Sequence, residues 1–258
     1  MTALDHLWLV PPPDLALPTQ EVHVWRVMLE QSSACIHRLS QPLSDDERVR
    51  AERFRFERDR RRFRVARGAL RAILGRYLDV EPGRLRFGYG AHGKPYLTQE
   101  FNHCGLRFNL AHSNELAVYA FACEREIGID VEYIHPLPDA EQIAVRFFSK
   151  REVAVFLALP ESQKLEAFFN CWTRKEAYIK AIGDGLAHPL DQFQVSLAPG
   201  EPARLLNVEG SPEQVAYWFM AAFMPASGYV AALMAQAPDC RLECWQYLPE
   251  ADGELARP

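Results

Sequence analysis

Cysteine is sparse in these 258 residues, and its spacing carries no pattern. The six cysteines, Cys35, Cys104, Cys123, Cys171, Cys240 and Cys244, form no CxxC pair. That excludes a zinc ribbon and argues against a disulfide framework, so the thiols read as reduced and the protein as cytoplasmic. No run of about 18 apolar residues is present, so no membrane span is expected. The first thirteen residues carry an early Asp5, a short apolar stretch and Pro11, Pro12 and Pro13, which is not the build of a signal peptide. Short-period repeats and low-complexity segments are also missing. So is the hydroxyl of a phosphate loop. Residues 88–95 nearly fit GxxxxGK[ST], but Pro95 stands where Ser or Thr must be, and no clear helix follows, which excludes a P-loop ATPase.

What the chain does have is charge, unevenly placed. The net charge is -5, yet between Glu47 and Arg71 there are eleven arginines against four acids. One region therefore attracts anions while the rest is acidic, a pattern that suits a phosphorylated substrate held with a metal. Arg60, Arg61 and Arg62, with Arg67 and Arg71 on nearby turns, point to anion binding. An arginine cluster binds any phosphate, including that of nucleic acid, but no interleaved aromatic platform or nucleic-acid motif accompanies it.

Strand-like alternation at 21–29 is followed by a helix start at Ser44 and one or two helices through Leu78, with Phe54, Val65, Ala69, Ile73 and Tyr77 as the expected buried stripe. Strands are expected at 85–89, 108–110 and 116–123, with 127–132 returning as the second arm of a hairpin. Helices are expected at 139–147, 150–159 and 165–183, and later strands at 193–197, 217–224 and 229–234. The order predicts an α+β fold of two similar halves, 1–124 and 125–248, with a polar, frayed tail over 249–258.

Within 127–132, alternation turns Ile127, Ile129 and Val131 to a core and places Gly128, Asp130 and Glu132 on the other face. Two neighbouring carboxylates repel unless a cation lies between them; an acidic solvated face is the plain alternative. Further on, helical spacing puts Leu165, Phe169, Trp172, Glu176 and Ile179 on one stripe with Glu176 at its centre. A carboxylate centred on an apolar stripe needs a partner or a metal. An internal Glu176–Lys180 pair would explain the charges but not their apolar surroundings. Asp130, Glu132 and Glu176 together suit Mg²⁺, with Mn²⁺ as the other ion. Lys94, held by the stiff Pro95, is a candidate phosphate contact, and so is His112 at a strand end.

Five ordered motifs carry a resemblance: Gly93-Lys94-Pro95, Phe108-Asn109-x-x-His112-Ser113, Gly128-Ile129-Asp130-Val131-Glu132, Phe147-Phe148-Ser149-x-x-Glu152, and Trp172-Thr173-x-Lys175-Glu176-Ala177-x-x-Lys180. Over about residues 44–190, this set resembles the 4′-phosphopantetheinyl transferases of the surfactin-synthetase-activating type. The resemblance implies a pseudo-twofold α+β fold and a monomer with coenzyme A as substrate in the cleft between halves. It implies that Asp130, Glu132 and Glu176 hold Mg²⁺, and that Lys180 neutralises the pyrophosphate. Lys94, Pro95 and His112 would line the adenosine 3′-phosphate and base pocket, with Arg62 and Arg50 on the 3′-phosphate. The surface from Tyr133 to Leu157 would meet an apo acyl or peptidyl carrier protein. Glu176 is the candidate base for the carrier serine, directly or through a water. Ala111 departs from the serine usual before the histidine and removes one hydroxyl contact, worth about 0.5–1.5 kcal/mol. A metal-dependent phosphodiesterase and a non-catalytic anion- or nucleic-acid-binding protein are the competing readings; no nucleic-acid or membrane partner is expected.

Overall fold

The alternation near the start resolves as strand β1 (Glu21–Met28), whose side chains are buried along most of its length. The structure is a computed structural model that describes residues 8–102, 105–185, 188–236 and 239–249. Cys104, Met1 with the next six residues, and the tail after Pro249 lie outside the described residues.

After β1 come α1 (Ser33–Ser40), α2 (Asp45–Glu52) and the long α3 (Glu57–Leu78). Ser44 opens α2 as expected, its backbone N–H donating to Glu47 at 3.1 Å. A hairpin, β2 (Phe87–Tyr89) and β3 (Pro95–Leu97), leads into β4 (Leu106–Ser113) and β5 (Leu116–Cys123). The second half repeats this plan. It runs β6 (Ile127–Tyr133), α4 (Ala140–Phe147), α5 (Lys150–Ala158) and the long α6 (Glu161–Ile182). Then come the hairpin β7 (Phe193–Val195) and β8 (Leu205–Val208), α7 (Pro212–Ala216), β9 (Trp218–Phe223) and β10 (Tyr229–Gln236). The first half pairs its strands as β1-β5-β4 and the second as β6-β10-β9, so the opening strand of each lies beside the closing one. A final strand, β11 (Arg241–Gln246), runs parallel to β1 and completes the first sheet. The architecture is α+β.

Three cores hold it together. One lies between α3 and the first sheet, around Trp25, Leu70, Ile73 and Phe121. A second lies between α6 and the second sheet, around Phe169, Ile179, Phe193 and Met234. The third joins strand faces of both sheets, and Ile127, Ile129 and Val131 lie in it beside Val118 and Leu233.

Three expectations need correction. Residues 116–123 and 127–132 form no hairpin. Strand β5 is already paired on both edges, by β1 and β4, so β6 pairs with β10 instead. In the stripe of α3, Val65, Ala69 and Ile73 are buried, whereas Phe54 lies before the helix and is exposed. On α6 the expected apolar residues do pack into the core, with Phe169 and Ile179 buried and Leu165 and Trp172 against them, but burial is not confined to that stripe. The helix is buried on most sides from Ala167 onward, and Trp172, Glu176 and Lys180 form its more open face.

Gly128 sets how closely α6 and β6 approach. A β-carbon there would run into the Ala177 carbonyl oxygen and the Ala181 backbone nitrogen. Gly128→Ala should therefore destabilise the protein by about 1–3 kcal/mol, the cost of overpacking against backbone. Urea denaturation would read this as a lowered midpoint.

Candidate active site

The third core brings the facing edges of the two sheets together, and side chains of β4 stitch them. Asn109 Oδ1 accepts the Ile129 N–H at 2.9 Å, and Ser113 Oγ accepts the Tyr133 N–H at 3.1 Å. The Ser113 hydroxyl also donates to Glu132 at 2.8 Å. Orphan N–H groups of the β6 edge are thus satisfied without a ladder. A cleft opens along this seam.

Strand β6 presents Asp130 and Glu132 on the face over which α6 lies. Asp130 is 5 % exposed, and its Oδ1 accepts from Lys180 Nζ at 2.6 Å. Lys180 therefore pairs with Asp130 and not with Glu176. Asp130 Oδ2 and Glu176 Oε1 are buried without a hydrogen-bond partner. Burial pushes Asp130 and Glu132 above the usual carboxylate range, with Asp130 adding to the shift at Glu132. Glu176 is pushed up to about 7, first by burial and then by the charges of Asp130 and Glu132, against the pull of Lys180. These are three electrostatically coupled carboxylates served by one ammonium, and such a site lacks positive charge.

A hard cation suits that deficit, because two buried carboxylate oxygens face nothing else. The fit is incomplete. Among the described residues no group of three or more His, Cys, Asp or Glu stands ready to hold a metal. Lys180 occupies the Asp130 oxygen that a cation would also seek.

The predicted phosphate contacts line two adjoining cavities. Arg50, Arg62, Pro95 and His112 share one of about 390 Å³ with Phe54 and Tyr89. Lys94, Pro95, Glu176 and Lys180 share the other. Arg50 lies over the Phe63 ring, 5.8 Å from its centroid. Arg62 is held by Glu30 at 2.9 Å and Glu115 at 3.5 Å. The His112 side chain is reachable by solvent yet densely surrounded. That crowding, and then the positive charges of Lys180 and Arg62, hold it below the usual histidine value. The Lys94 ammonium is turned onto backbone, donating to Lys180 O at 2.7 Å and Ile127 O at 3.1 Å. It ties the Gly93 turn to the end of α6 and the start of β6. No helix follows this turn, in keeping with the exclusion of a P-loop.

The arginine-rich segment is less of an anion trap than its composition suggests. Arg67 and Arg71 converge on the buried Glu47, at 2.8 and 2.6 Å. Arg60 and Arg61 pair with Glu57, and Arg64 with Glu52. Charge counting gives the surplus of the segment but not which arginines its glutamates take. Two further residues were quoted in motifs without a role. Lys175, wholly buried, donates to Leu190 O and Phe193 O and pairs with Glu152 at 2.9 Å, which fixes the rotation of α6. Ser113, the last residue of β4, was likewise read only as part of a motif.

The sequence is similar to those of known proteins. A model of the 4′-phosphopantetheinyl transferase superfamily matches residues 126–233, and one of the 4′-phosphopantetheinyl transferase N-terminal region matches residues 25–124. The chain is 44 % identical over 244 residues to the 4′-phosphopantetheinyl transferase HetI of Nostoc, covering 95 % of this chain and 100 % of that one. The chain belongs to the 4′-phosphopantetheinyl transferases. It is also 30 % identical over 198 residues to the 4′-phosphopantetheinyl transferase Sfp of Bacillus subtilis, covering 76 % of this chain and 84 % of Sfp. The human L-aminoadipate-semialdehyde dehydrogenase-phosphopantetheinyl transferase is 27 % identical over 165 residues, covering 61 % and 53 %.

The transferase's raised Glu176 has a consequence for stability. Between its ordinary value of 4.5 and about 7, the folded protein binds a proton there that the unfolded chain has lost. Stability in divalent-free buffer should therefore fall as pH rises through that window. Glu176→Gln should flatten the slope, as read by denaturation midpoints at a series of pH values.

Proposed function

We infer that this protein moves the 4′-phosphopantetheine of coenzyme A onto a serine of an apo acyl or peptidyl carrier protein, releasing adenosine 3′,5′-bisphosphate. The observation that carries the reading is the cluster of Asp130, Glu132, Glu176 and Lys180 on the cleft between the two halves. It is joined there to a cavity lined by Arg50, Arg62 and His112.

The bond chemistry assigns roles to these groups. The serine oxygen bonds to the phosphorus that bears pantetheine, and the bond from that phosphorus to the bridging oxygen breaks. The bisphosphate leaves with the electron pair, and the serine proton passes to Glu176. Glu176 would lose proton affinity with a cation on it, and the proton would then reach it through a water rather than directly. Lys180 leaves Asp130 to meet the negative charge that grows on the leaving group. Arg50, Arg62 and His112 hold the 3′-phosphate, Arg62 exchanging its glutamates for it. Pro95 and the Lys94 turn shape the base pocket. Asp130, Glu132 and Glu176 would hold Mg²⁺ or Mn²⁺, which would supply further positive charge beside the pyrophosphate. The surface from Tyr133 to Leu157 meets the carrier. Val145, Phe147, Val155 and Leu157 are exposed along it, next to the strand that bears Glu132.

The protein acts as a cytoplasmic monomer, with halves 1–124 and 125–248 each contributing one wall of the cleft. No helix among the described residues is long and apolar enough to cross a membrane. A nucleic-acid partner is disfavoured by the local pairing of the arginines.

Intact-mass spectrometry of an apo carrier protein incubated with the enzyme, coenzyme A and Mg²⁺ tests the reaction. The carrier should gain one phosphopantetheine, and EDTA or Asp130→Ala should abolish the gain. Transfer that persists fully in EDTA would remove the metal from the account, and no transfer to acyl or peptidyl carriers would remove the function. Glu176→Gln should slow transfer by about 10²–10⁴-fold, the usual worth of a positioned base. Unchanged turnover would exclude Glu176 from that role.

A further inference from the structure

A second large cavity, of about 550 Å³, lies away from the cleft, between α6, the 200–203 loop and strand β9. Residues 172, 176 and 180 face the cleft, while Asn170 and Arg174, two residues off that register, line this cavity from the opposite side of the helix. Its other walls are apolar and include Ile134, Met220 and Val230.

Arg174 is the unusual member. It is 3 % exposed, yet its guanidinium meets only neutral acceptors, Ser196 O at 2.6 Å and Ser196 Oγ at 3.0 Å. Its Nε is buried without a partner. No carboxylate of the described residues lies within ion-pair distance of it. Burial lowers its proton affinity to about 10, against the opposing pull of Cys171, Glu201 and Glu166, none of which forms an ion pair with it. A buried, unpaired charge is among the costlier features a fold can carry, and a ligand anion would relieve it.

The surroundings choose the kind of anion. Glu166 and Glu201 line the same cavity and are exposed to solvent. Any anion in the cavity faces both of them, and a dianion such as phosphate is repelled more strongly than a single carboxylate. A single carboxylate places one charge on Arg174 and leaves a tail for the apolar walls. We propose that this cavity binds a monocarboxylate with an apolar body, its carboxylate paired with Arg174 and its tail against Met220 and Val230. The site is separate from the transfer chemistry and does not depend on it.

Titration calorimetry of the full chain with octanoate, octanol and inorganic phosphate tests the assignment. Octanoate should bind saturably, with octanol and phosphate much weaker. Arg174→Met, which keeps a long apolar stem, should weaken octanoate by about tenfold to a hundredfold, the usual range for losing a charged hydrogen-bond partner. A thermal melt checks that this variant folds. Ala203→Trp, which keeps Arg174 and fills the cavity mouth, should abolish octanoate binding and serves if Arg174→Met does not fold. Equal octanoate affinity in wild type and either folded variant overturns the proposal. So does octanol binding as tightly as octanoate, or no saturable octanoate binding at all.

Discussion

The approach of α6 to β6 at Gly128 is the constraint on which the cleft depends. With no side chain at 128, the backbone of α6 near Ala177 and Ala181 comes down onto the strand. One residue pair further along, the same closeness puts Lys180 within hydrogen-bond reach of Asp130. It also brings Glu176 into electrostatic contact with Asp130 and Glu132. Helix rotation is fixed from the far side by Lys175, whose ammonium is wholly enclosed by Leu190 O, Phe193 O and Glu152. Distance is thus set by a missing side chain and angle by a buried ion pair. The carboxylates can be close only because both are rigid.

That closeness has an electrostatic cost which the fold leaves partly unmet. Three carboxylates share one lysine, and two oxygens have no partner. Two other buried carboxylates are fully paired, Glu47 with two arginines and Glu152 with Lys175. The contrast separates charges that hold the structure from charges held ready for something else. Arg174 falls in the second class, although it lies on the opposite side of the helix from the carboxylates.

Much of this was legible in the residues. The alternation of 127–132 gave the correct facing of Asp130 and Glu132, and the helix ends fell within a few residues of expectation. Glu176 lies within electrostatic reach of Asp130 and Glu132, which its place on a helical stripe did not foretell. Helical periodicity found it on an apolar stripe, but α6 is buried on most sides, and Trp172, Glu176 and Lys180 form its opening. Periodicity loses its meaning when a helix is enclosed all round. Strand partners were not legible either. A short link between 123 and 127 looks like a hairpin, and only the double pairing of β5 forbids it. Likewise, arginine counts showed where charge accumulates but not which glutamates absorb it.

The strand that closes the first sheet is the last one among the described residues. Its neighbour β1 is made near the beginning, and more than 200 residues separate the partners Glu21 and Arg241. While the protein is being synthesised, β1 has its β5 side covered early, but its other edge stays bare until the second half has emerged. The two halves repeat a plan, yet they are not independent beads on a string. The strand that follows the second half is a structural part of the first sheet. Such a long-range parallel pairing forms slowly, because a large loop must close before the contact is made. The finished fold therefore resists opening at the seam between halves, since parting them would also pull on the β1–β11 ladder.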